Sequence, residues 1–289
     1  MKIEPLFEHR LEVDGFQTRA LEIEGDGPGL ILFHGYADSA DTWRPLLDVL
    51  AHRGQRAIAV DMPGFGTASR LGPGAVLPQL DAFAGALAER VAGEGNGQVV
   101  AAGNSLGGVV SLRLAERADL PLSGVVPIAP AGFDMPRWFE LIDRDPIVRT
   151  LMSMPIPWPK PVLTLAVGEI FKRLAFARPA QADGRVVAAM ASHHPDRAAV
   201  RRLLDTGRIM LPELGPGCFD LTRVRCPVLL IWGTKDRMVS HSGARILQEA
   251  LPDARVEILE GCGHCPQLEE TGRVAELILE FTGVGAPSL

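Results

Sequence analysis

The sequence predicts an α/β protein: a mostly parallel sheet covered by helices on both faces and interrupted by a helical insertion. Three observations carry this. Short apolar runs recur along the chain, LILF (30–33), AIAV (57–60), QVVAA (98–102), GVVPIA (124–129), PVLLIW (227–232) and RVEIL (255–259), with the weak alternation of strands buried on both faces. Between them lie stretches with apolar residues three and four apart, such as Leu80, Phe83 and Leu87, which gives the strand–helix rhythm of a parallel sheet. That rhythm stops after residue 130 and resumes at 221.

The elements follow in order. Residues 11–23, LEVDGFQTRALEI, alternate around Asp14-Gly15 and predict an N-terminal hairpin. Helices are expected at 42–52, 78–92, 107–118, 241–250 and 267–282. The break at 131–220 holds MPRWFELI, the proline alternation PIPWPKP and helical pieces near 162–177, 184–192 and 196–210. We read it as a helical cap inserted into a core formed by 1–130 and 221–289, with PIPWPKP as a stiff connector between cap helices. No internal repeat or low-complexity tail is present.

Composition narrows the partners. The 289 residues are 47% apolar, enough for a sizeable core, and the net charge of -6 offers no basic surplus for a phosphate backbone, so nucleic acid is not expected. The N-terminus carries Lys2, Glu4, Glu8 and Arg10 where a signal peptide needs an apolar stretch, and no run approaches a membrane span. A cytoplasmic protein is the expectation. The four cysteines, Cys218, Cys226, Cys262 and Cys265, include a CGHC motif, but they lack the spacing of a paired zinc site, and the motif lies too late in the chain for a thioredoxin-like helix start. Ordinary reduced thiols are expected, with no metal or organic cofactor.

VVAAGNSLGGVV (99–110) places Ser105 between a strand and a helix. An abrupt turn of this kind strains its corner residue and requires small neighbours where helix and strand converge, which Gly103 and Gly107 supply. The serine then stands at the carboxyl edge of the sheet, with the backbone N–H of Leu106 facing the place where an oxyanion would form. A serine hydroxyl needs a base, usually an imidazole oriented by a carboxylate. Of seven histidines, His264 falls in the glycine-flanked loop of ILEGCGHCPQLE after the last strand, and Asp236 falls in LLIWGTKDRMVS after the strand before it. Asp134, one strand earlier, is the alternative acid. In LFHGYADSADTW (32–43), Gly35 allows a turn, Tyr36 N–H is the second candidate oxyanion donor, and His34 suits a bracing hydrogen bond better than catalysis. Met135, Trp138, Phe139 and Trp158, with other apolar residues of the insertion, are candidates to line an acyl pocket.

FHGYADSADTW, DMPGFG (61–66), GNSLGG, GTKD and GCGH, in this order, resemble the α/β-hydrolase superfamily over residues 30–130 and 225–282. HGYADSADTW is similar to bacterial carboxylesterases and monoacylglycerol-lipase-like members. The resemblance implies the α/β-hydrolase fold, eight mostly parallel strands with a variable lid, and a triad of Ser105, Asp236 and His264. It also implies a small-molecule ester substrate. Relatives with an aspartate nucleophile are disfavoured by Ser105, and epoxide hydrolases by the lack of cap tyrosines. Carbon–carbon bond hydrolases of ring-cleavage pathways share the GNS elbow, but they usually carry a GPG-like loop and a Trp after the histidine, where this chain has YADS and Cys265. Perhydrolases would use the same three residues. Non-catalytic relatives often lose a triad member, whereas all three positions are filled here.

Overall fold

The computed structural model describes residues 6–134, 160–215 and 217–284. Alternating polarity at the N-terminus becomes the hairpin of β1 (Phe7–Val13) and β2 (Phe16–Ile23). Asp14 and Gly15 both take positive φ (49° and 76°), the backbone that a two-residue hairpin turn of right-handed twist requires. The apolar runs become β3 (Asp26–Phe33), β4 (Gln55–Val60), β5 (Val99–Asn104), β6 (Leu122–Ile128), β7 (Leu229–Gly233) and β8 (Arg255–Leu259). They form one eight-stranded sheet in the order β1-β2-β4-β3-β5-β6-β7-β8. Only the β1–β2 and β2–β4 pairings are antiparallel.

Successive strand residues feed opposite faces. Ile31 and Phe33 pack with Phe83, Leu87 and Val109, while Leu30 and Leu32 pack with Trp43, Leu47 and Ile278, so the core is two apolar layers with the sheet between them. The first layer is covered by α2 (Leu77–Gly93) and α3 (Leu106–Ala115), the second by α1 (Arg44–His52) and the C-terminal helix. One strand departs from the sequence expectation. RVEIL is not buried on both faces, because β8 is the edge strand and shows solvent most of its residues.

Between β6 and β7 the described residues form α4 (Lys160–Ala175), α5 (Gly184–Ser192) and α6 (Arg197–Glu213). Asp183 and Asp196 cap α5 and α6, accepting the N–H of Arg185 and Ala199 at 2.8 Å each. Beyond β7 come α7 (Gly243–Ala250), the short α8 (Pro266–Glu269) and α9 (Thr271–Thr282). The sequence expected one helix over 267–282; Glu270, at φ −130° and ψ 48°, breaks it in two. Six strands running in parallel send the loops after β3, β5, β6, β7 and β8 to one edge, where ligands bind in sheets of this kind.

Candidate active site

Ser105 stands between β5 and α3 at φ 54° and ψ −112°, a conformation that costs a non-glycine residue about 1–3 kcal/mol. Its surroundings impose it. A Cβ on Gly103 would run into the Gly107 backbone, and one on Gly107 into the carbonyls of Phe33 and His34, so strand and helix meet backbone to backbone around the serine. Ser105 N–H donates to Ile128 O (2.9 Å), and its carbonyl accepts Val109 N–H (3.0 Å). Leu106 begins α3, where a helical N–H has no acceptor within its own helix.

The loop after β3 lies against this turn. A Cβ on Gly35 would stand 3.5 Å from the Cβ of Ser105 and 3.7 Å from Asn104 O. His34 is wholly buried and both ring nitrogens are engaged: Nδ1 donates to Gly35 O (2.7 Å), and Nε2 accepts Met62 N–H (2.9 Å). Burial, opposed by the Asp61 carboxylate, lowers its pKa to about 4. It therefore braces the loop as a neutral ring.

Asp236 sits in the turn after β7 with its carboxylate fully enclosed. Oδ1 accepts the N–H groups of Met238 (2.8 Å) and Val239 (2.9 Å), and Oδ2 accepts Trp232 Nε1–H (3.2 Å) and His264 Nδ1–H (2.7 Å). Neither Lys235 nor Arg237 takes part. Asp134 is exposed and bonded to the Ser242 hydroxyl instead. A Cβ on Gly233 would strike the carbonyls of Cys262 and Gly263, which shows how closely the loops after β7 and β8 approach.

His264 is 3% exposed. Its backbone is gripped from two sides: the N–H donates to Ala175 O (2.8 Å) and the carbonyl accepts Asn104 Nδ2 (2.9 Å). The sequence did not single out Asn104; it sits beside Ser105, and nothing in the chain indicates that its amide reaches a carbonyl on another loop. Glu269, likewise unremarked, accepts Gly263 N–H (2.7 Å) and Ala177 N–H (2.9 Å). With Nδ1 held by Asp236, His264 Nε2 is buried without a hydrogen-bond partner among the described residues.

Ser105, His264, Leu106 and Tyr36 line one cavity of about 320 Å³. Most of its remaining wall is apolar and comes from α4, α5 and α6, including Phe171, Met190, Leu203 and Met210. Of the pocket candidates named from sequence, Met135, Trp138, Phe139 and Trp158 lie outside the described residues. Among the described lining residues none is Lys or Arg. Cys262 and Cys265 are buried free thiols, with burial pushing Cys262 up to about 12 and Cys265 well above the usual range, so neither is a ready thiolate. No group of three His, Cys, Asp or Glu suited to a metal occurs among the described residues, and no helix among them is long and apolar enough to cross a membrane.

Residues 30–277 match the alpha/beta hydrolase family. The chain belongs to that family. Among its relatives, a pimeloyl-[acyl-carrier protein] methyl ester esterase of Nitrosomonas europaea is 29% identical, over 86% of this chain and 93% of its own. Lipase 3 of Moraxella sp. (strain TA144) is 24% identical, over 84% of this chain and 73% of its own. The solved 2-hydroxy-6-oxo-6-phenylhexa-2,4-dienoate hydrolase from Rhodococcus sp. strain RHA1 superposes with a TM-score of 0.75 at 20% identity, covering 96% of this chain and 99% of its own. Membership of this alpha/beta hydrolase family points to hydrolytic chemistry.

Proposed function

We propose that this hydrolase cleaves carboxylic esters through an acyl-enzyme at Ser105, with His264 as the base and Asp236 as its orienting carboxylate. The observation that carries the reading is His264 itself. One ring nitrogen is fixed on a buried carboxylate at 2.7 Å, and the other is buried, unpaired and in the wall of the cavity that Ser105 lines. Buried polar atoms are normally satisfied, and a lone pair left open in the wall of a cavity that a serine shares is what a general base requires.

In the first step Nε2 takes the Ser105 hydroxyl proton while Oγ bonds to the ester carbonyl carbon. The carbonyl oxygen becomes an oxyanion facing the N–H groups of Leu106 and Tyr36. As the C–O bond breaks, His264 returns the proton to the departing alcohol. Water then attacks the acyl-enzyme with His264 again taking a proton, and the acid and the free serine are released. Each oxyanion donor is worth roughly 3 kcal/mol in the transition state.

The segment 131–220 acts in this reading as the cap that supplies the acyl pocket. A cavity of about 320 Å³ has the volume of ~10 water molecules, and a methylene takes similar space, so a medium-length acyl chain fits. Ring-cleavage hydrolysis is the second reading, since the Rhodococcus enzyme shares the fold. Its substrate is a dienoate anion, however, and the described lining offers no cation to receive a carboxylate. A neutral acyl group suits the cavity better. The test is hydrolysis of p-nitrophenyl esters of increasing chain length beside a ring-cleavage dienoate. We expect turnover of medium-chain esters, little of the dienoate, and none by Ser105→Ala at an unchanged Tm. Turnover by Ser105→Ala, or a preference for the dienoate, contradicts the assignment.

A further inference from the structure

The loop carrying Tyr36 is not self-sufficient. Ala37, the next residue, has φ 65°, a left-handed backbone that a residue with a Cβ adopts only when its surroundings hold it there. Inside the loop one long hydrogen bond closes the turn, Asp38 N–H to Gly35 O at 3.3 Å. From the core, His34 Nδ1 holds Gly35 O and the Tyr36 ring packs on Phe65; further restraints come from the helices between β6 and β7. His194, two residues beyond the end of α5, brings Nε2 to 3.0 Å from Ala37 O. A carbonyl only accepts, so Nε2 carries the proton and donates it. Burial lowers the pKa of this ring, which favours the neutral form. The Tyr36 hydroxyl donates to Leu203 O on α6. His193 alongside faces Asp41 at 3.6 Å, so the end of α5 is seated on the segment that follows the loop.

We propose that His194 is a positioning residue for the oxyanion hole: its Nε2–H, donated to Ala37 O, locks residues 35–38 in the strained conformation that aims Tyr36 N–H at the reacting carbonyl. The cap then does more than enclose the acyl chain, because it completes the electrostatic half of the site. This rests on the reading of Tyr36 as an oxyanion donor. His194 does not line the cavity, so it makes no contact that would set substrate affinity.

The experiment compares wild type, His194→Ala and His194→Gln in p-nitrophenyl ester hydrolysis, with Tm and Ser105 phosphonate stoichiometry as controls on folding. For His194→Ala we expect kcat to fall on the order of tenfold, as loss of one well-placed hydrogen bond allows, with KM within about twofold. Affinity for a trifluoromethyl ketone, whose addition product places an oxyanion in the hole, should fall in step with kcat/KM. His194→Gln, which can offer an amide N–H at similar reach, should recover most of the loss. Unchanged kcat in His194→Ala overturns the proposal, as does a loss confined to KM or one that glutamine fails to restore. Lack of any ester turnover by the wild type instead overturns the reading of Ser105, and this proposal with it.

Discussion

Asp38 and His34 lie four residues apart in one buried loop, and burial moves them in opposite functional senses. Asp38 rises from 3.8 to about 7, chiefly through burial, with the Ser39 N–H bond (2.8 Å) opposing the rise. Between those values the folded state holds a proton that the unfolded chain has released, so this group costs stability as pH rises from about 4 to 7. His34, lowered from 6.5 to about 4, does the reverse: the unfolded chain takes up a proton first, and stability is lost as pH falls from 6.5 to 4. In the wild type the two largely cancel. Asp38→Asn should uncover the histidine. Urea unfolding at pH 4.5 and 7.5 should show the variant gaining a few kcal/mol on the wild type at the higher pH, and a pH-independent difference would contradict the Asp38 environment; a variant no more stable at pH 7.5 than at 4.5 would contradict that of His34. Composition gave no hint of either shift. His34 was legible as a brace because it ends an apolar run, whereas nothing around Asp38 in YADSADTW announces its burial.

Elements meet most tightly where β5 passes into α3. A Cβ on Gly107 overlaps two main-chain carbonyls, and main chain in the middle of a sheet cannot step aside. Gly107→Ala should therefore cost about 3 kcal/mol or more in urea unfolding. Gly93→Ala, in the exposed end of α2 with open space around its Cβ position, should be neutral or stabilising by about 0.5–1 kcal/mol. Equal effects at the two sites would mean that the strand and helix are not in backbone contact. The glycine spacing around Ser105 announced this contact in the sequence because close approach demands glycine. Helix ends were less legible. Arg197–Glu213 runs three residues past the expected stop at 210, through Pro212, and the Glu213 carboxylate then accepts Val76 and Leu77 N–H (2.7 Å each) at the start of α2. A contact between positions 136 residues apart leaves no local trace.

At the scale of the molecule, the sheet gathers the chemistry and the inserted helices hold it. Strand identity and order along the chain were readable because buried parallel strands are near-continuous apolar runs, and that alone places Ser105, Asp236 and His264 on loops at one edge. How the helices between β6 and β7 engage those loops was not readable. Ala175 O on His264 N–H, His194 on Ala37 and Leu203 O on the Tyr36 hydroxyl are contacts between main chain and distant partners, for which hydrophobic periodicity carries no information. These contacts join the cavity wall to the loops that carry the proposed triad and oxyanion hole, so on our proposal the helices that would set substrate preference also affect rate. All of this depends on Ser105 being an activated nucleophile. The most direct measurement is labelling of the intact protein with a fluorophosphonate, followed by mass mapping of the adduct. We expect one phosphonyl group per chain, on Ser105, formed far more slowly in His264→Ala. An adduct elsewhere, or none on the folded wild-type protein, would contradict it.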